Sequence, residues 1–110
     1  MRLINKTKIT TISSQIVEAK TWKQKVFGLT IAHNPYAICF NTHLGIHTFG
    51  MKYAIDVLIL NKESIVVKVK QNLEPNRVLL WNPIYSTVIE LPTGTIKNTQ
   101  TKTGDYIVFN

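Results

Sequence analysis

The stretch from Ala54 to Leu73 narrows the fold of this chain more than any other. Ala54 to Leu60 is apolar except for Asp56, Asn61 to Ser64 is polar and turn-like, and in Ile65 to Leu73 Lys68 and Lys70 alternate with Val67 and Val69. A strand places successive side chains on opposite faces, so this pattern predicts a β-hairpin whose second strand has one wetted face. Pro75 ends it, because proline cannot donate to a strand ladder. Further short apolar segments predict strands at Gln15 to Lys20, Ala37 to Phe40, Val78 to Trp81, Thr87 to Leu91 and Asp105 to Phe109. Pro83, Pro92, Gly94 and Gly104 punctuate them.

One helix is expected, at Thr21 to Leu29. Thr21 and Gln24 have capping-box spacing, and Trp22, Val26 and Leu29 share one face. With 110 residues, the chain is the size of one ordinary domain. The expected class is mainly β: a small single-domain, barrel-like fold with that one helix. Closing a barrel is the natural way to hide many strand edges.

Composition removes several function classes. Cys39 is the only cysteine, so neither an intramolecular disulfide nor a cysteine-pair metal site exists. Cys39, His43 and His47 are spaced four apart. In a strand that spacing separates residues by about 13 Å, too far to share a metal. No metal or cofactor is expected. No phosphate-binding glycine loop or hydrolase nucleophile motif occurs. No segment has the roughly 18 apolar residues that span a bilayer, and no signal-peptide core follows the N-terminus. The expectation is a cytoplasmic protein that does not contact membrane. The formal net charge is +7, but the lysines are scattered and only Arg2 and Arg77 are arginines. A solvated basic surface is the commoner meaning of that pattern, and nucleic acid is not favoured as a partner.

The candidate site is the segment from His47 to Asp56. Alternation sets Asp56 on one strand face with Leu58 and Leu60, a carboxylate among apolar neighbours. An unpaired charge buried there costs several kcal/mol. Asp56 therefore either ties down backbone N–H groups or belongs to a site. Glu90 also interrupts an apolar run, and Lys52 is its candidate ion-pair partner. Three readings stay open. In the first, the protein is a binding or interaction module whose polar pocket is lined by His47, Met51, Lys52, Asp56 and Glu90 and takes a small ligand or a protein partner. In the second, it is a small hydrolase-like enzyme using His47 with Asp56 or Glu90 as acid and base. In the third, the same residues lock turns to strands and the basic surface meets an acidic partner. The absence of a nucleophile motif tilts the balance away from an enzyme.

His47-Thr48-Phe49-Gly50-Met51-Lys52, then Ile55-Asp56-Val57, then Glu90-Leu91-Pro92-x-Gly94 and Gly104-Asp105, with Phe27-Gly28-Leu29 upstream, resembles the domain-of-unknown-function family 192. The resemblance runs from about Ala19 to Phe109. It implies a small β-rich, barrel-like fold with a short helix toward the N-terminal side, and no particular activity. Thr30 stands where many relatives have Met, and His43 where several have Cys. No catalytic assignment carries over.

Overall fold

The computed structural model describes residues 1–18 and 37–110. Among these described residues ten strands and one helix follow in order. They are β1 (Leu3–Asn5), β2 (Thr10–Ser13), β3 (Ile16–Glu18), β4 (Ala37–Asn41), β5 (Gly45–His47), β6 (Ile55–Leu60), β7 (Val66–Leu73), β8 (Val78–Leu80), β9 (Thr87–Pro92), α1 (Thr95–Thr99) and β10 (Ile107–Phe109). The mainly-β expectation holds.

The barrel does not. The strands form three separate sheets: β3-β4-β9-β6-β7, β10-β1-β2, and the two-stranded ribbon β5-β8. The sheets stack on one another, and each keeps its edge strands. Strand β6 sits inside the five-stranded sheet, and all six of its residues are buried. Its alternation then does what a two-faced core needs. Ile55, Val57 and Ile59 join Ile46, Met51, Leu79 and Trp81 on one face. Leu58 and Leu60 join Leu3, Ile12, Ile96 and Ile107 on the other. The ribbon thus covers one side of the central sheet, and the three-stranded sheet with α1 covers the other. Fully burying an aliphatic side chain stabilises by roughly 1.5–3 kcal/mol, so β6 is the strand whose loss would cost most.

The expected hairpin is β6–β7, paired antiparallel from Ile55↔Leu73 to Leu60↔Val66. Asn61 builds the turn: its Oδ1 accepts from the amides of Glu63 and Ile65 at 3.0 and 2.9 Å. Ser64 takes the left-handed backbone this requires. A register shift between Ile59 and Leu60 alters the expected single wet face. Val67 packs with the Trp81 cluster and Val69 with the opposite one.

The helix expected at 21–29 lies outside the described residues. The helix that is described, α1, follows Gly94, whose φ of 91° suits glycine. Strands β1, β2 and β5 are also additions to the sequence reading.

Candidate functional site

Asp56 is fully buried, and its partners are backbone amides. Oδ1 accepts from Asn72 N–H at 2.9 Å, and Oδ2 accepts from Ile96 N–H at 2.9 Å. The first partner arises from a bulge. Ile55 pairs with Leu73 and Val57 with Lys70, so two residues of β7 oppose Asp56, and Asn72 has a φ of 54°. That irregularity takes the Asn72 amide off the ladder and onto the carboxylate. The second partner lies in the first turn of α1. Gly94 offers this helix no side-chain cap, and Asp56, 40 residues earlier in the chain, supplies it. Asp56 therefore joins β6, β7 and α1.

Glu90 is also fully buried, but elsewhere. Val57 pairs with Glu90, and Asp56 with Leu91. Asp56 and Glu90 therefore project from opposite faces of the same sheet and do not converge on one cavity. Of the remaining candidates, Met51 is a core residue, Lys52 is exposed, and His47 is half-buried on β5.

The segment around His47 has its own logic. Thr48 is buried. Its hydroxyl donates to Glu74 O at 2.7 Å and accepts from Arg77 N–H at 2.9 Å, latching the β7–β8 turn to β5. Met51 N–H donates to Thr48 O, closing a turn with Gly50 at φ 83° in its third position, where a type II turn calls for glycine. Thr48, Gly50 and Met51 are thereby fastenings. His47 and Phe49 are left on the outer side, their rings stacked at 4.7 Å with Phe49 N–H donating to His47 Nδ1 at 3.2 Å.

They belong to a larger surface. In the ribbon, Gly45 pairs with Leu80, Ile46 with Leu79 and His47 with Val78. Ile46 and Leu79 face the core. The outer face carries Leu44, Phe49, Val78 and Leu80, which are 56, 51, 55 and 59% exposed. With His43 and His47 they line a shallow groove of about 280 Å³. His43 Nδ1 is fixed 2.7 Å from Pro83 O. Gly45 lets the two strands approach. A Cβ at that position would lie 2.6 Å from Leu80 Cδ2 and 2.7 Å from Leu79 O. Replacing Gly45 with Ala should lower unfolding stability by about 1–3 kcal/mol, the usual cost of overpacking, read as a lower urea midpoint at unchanged slope.

Two other features bear on chemistry. Burial, and secondarily the charge of Glu18, pushes the Cys39 thiol up to about 11. Cys39 is thus a neutral thiol at physiological pH, unsuited to nucleophilic attack. A third buried carboxylate, Asp105, accepts from Asn5 Nδ2 at 2.8 Å, from Lys8 Nζ at 2.9 and 2.8 Å, and from Lys102 N–H at 3.0 Å. Burial acts to raise its pKa, yet these hydrogen bonds and the Lys8 charge outweigh it and hold the carboxyl below its usual value. In the sequence Asp105 stands out only as the start of an expected strand and as part of the Gly104-Asp105 motif. Its side-chain partners, Asn5 and Lys8, lie 100 and 97 positions away. Among the described residues no group of three or more His, Cys, Asp and Glu could hold a metal ion.

The model of the DUF192 family, described as "Uncharacterized ACR", matches residues 3–109. No curated protein matches. Two crystal structures share the fold. One, from Sinorhizobium meliloti and described as a "putative transcription regulator", has a TM-score of 0.77 at 20% identity, covering 97% of this chain and 89% of its own. The other, a protein of unknown function from Novosphingobium aromaticivorans, has a TM-score of 0.77 at 14% identity, covering 99% and 84%.

Proposed function

We propose that this chain, which belongs to the DUF192 family, is an interaction module that meets a protein partner through the outer face of the β5–β8 ribbon. The observation that carries this reading is the row of half-exposed apolar side chains Leu44, Phe49, Val78 and Leu80 on one face. Single exposed apolar residues are ordinary, but a contiguous group framed by polar ones marks a contact surface. An aromatic residue such as Phe49 is what such surfaces use as an anchor. The two histidines that line it with them, His43 and His47, give it hydrogen-bonding capacity. An acid–base enzyme using His47 with Asp56 or Glu90 has less support, because Asp56 is engaged by two backbone amides and Glu90 leaves the central sheet on the opposite side from it.

The test is site-specific photo-crosslinking in the native cell. A photoreactive residue at Leu80 should give one dominant adduct, and a Phe49→Ser change should remove it. The same group at Lys97, exposed on α1 on the other side of the central sheet, should not give that adduct. Equal adducts from both positions, or none from Leu80, would overturn the proposal.

A further inference from the structure

We propose that the partner presents an extended segment of alternating acidic and apolar residues, which adds as a strand to the free edge of β8; this rests on the interaction reading above. The first argument is the backbone. Trp81 N–H donates to Leu44 O, Thr48 N–H donates to Arg77 O, and Ile46 pairs with Leu79. Residues 77, 79 and 81 thus turn their peptide groups toward β5. By alternation, Val78 and Leu80 turn theirs the other way. No hydrogen bond joins those groups to another described residue. Among the described residues strand β8 is therefore an open edge of the kind that pairs with an added strand. Over three residues it offers about 10 Å of ladder.

The second argument is what lies beside that edge. A groove of about 490 Å³ runs between β8 and β7, itself the edge strand of the central sheet. Lys68, Lys70 and Arg77 line it. Its one carboxylate, Glu74, pairs with Arg77 at 3.4 Å, with both side chains exposed. Val57 pairs with Lys70 and Ile59 with Lys68, so both lysines belong to the sheet face on which the ribbon packs. An added strand would then have two unlike sides. One row of its side chains would continue the apolar face of Val78 and Leu80. The other row would turn inward over Lys68 and Lys70, where carboxylates complement the charge. A second copy of this chain, also at +7, would bring cations to cations there.

The experiment uses the full chain and a fluorescein-labelled Glu-Val-Glu-Val-Glu-Val-Glu peptide, read by anisotropy. Saturable binding is expected, weakening as salt rises. Lys68→Gln with Lys70→Gln should weaken it by about tenfold. A peptide N-methylated at alternate backbone positions should not bind, and this arm needs no protein variant. The lysine-for-glutamate peptide should bind at least tenfold more weakly. Equal binding by either control peptide would overturn the proposal. So would absence of binding, or saturable binding of a single-stranded oligonucleotide in place of the peptide. If the peptide fails while Leu80 still gives its adduct, the strand-addition proposal falls and the interaction reading stands.

Discussion

Replacing Asp56 with Ala lowers the free energy of unfolding by about 3–5 kcal/mol. The carboxylate accepts from two amides, Asn72 N–H on Oδ1 and Ile96 N–H on Oδ2. Both are drawn off any backbone ladder by local geometry, one by the β7 bulge and the other by its place in the first turn of α1. Without Asp56 the Ile96 amide becomes a buried donor with no acceptor, at about 1–3 kcal/mol, the Asn72 amide loses its acceptor at a partly buried position, and the vacated side-chain volume adds a further cost. Asp56→Asn is the sharper variant, being nearly the same size. Its amide oxygen can serve one N–H, while its NH2 confronts the other donor. Its loss should be about half that of Ala. Urea unfolding at constant slope measures both. A loss below about 1 kcal/mol in the Ala variant would show that Asp56 is not a fastening.

Acidification should unfold the protein in part through Asp105. In the folded state its hydrogen bonds to Asn5, Lys8 and Lys102 hold its carboxyl below the ordinary value despite its burial, whereas in the unfolded chain it returns to about 3.9. A depressed folded-state pKa gives a stabilisation fully present above the unfolded value and lost as pH falls through the folded one. The window is therefore below about pH 4. Asp105→Asn abolishes that titration and weakens the tie to Lys8. Its stability should fall less between pH 6 and pH 3 than that of the parent protein. At pH 7, Asp105→Ala should cost about 3 kcal/mol, since Asn5 Nδ2, Lys8 Nζ and Lys102 N–H all lose an acceptor. Parallel pH curves for the parent and the Asn variant would refute this role.

What the sequence disclosed follows from the range of the forces involved. The β6–β7 hairpin was legible because alternation and the turn chemistry of Asn61 are local. The face of Asp56 was legible for the same reason. Its role was not, because its donors are backbone amides 16 and 40 positions away, and the bulge that frees one of them leaves no mark in residue type. The convergence of Asp56 with Glu90 failed on one step of register. Glu90 pairs with Val57, not with Asp56, and pairing between distant strands is set by the whole core. Barrel closure failed likewise, since short strands close or stack with the same composition. The Val78-Leu79-Leu80-Trp81 run reads as an ordinary apolar strand. Only the packed ribbon separates Leu79, in the core, from Val78 and Leu80, outside it.

The proposed division of labour leaves binding to the ribbon face and the fastening of the fold to Asp56 and Asp105. It is tested most directly by calorimetric titration of the partner identified through Leu80 against two variants, with thermal unfolding followed in parallel. Phe49→Ser with Leu80→Ser should leave the thermal midpoint within a few degrees of the parent and reduce affinity by at least tenfold. Asp56→Asn, kept below its lowered midpoint, should bind as the parent does. The reverse pattern, with binding lost on Asp56→Asn and retained in the ribbon variant, would contradict the account.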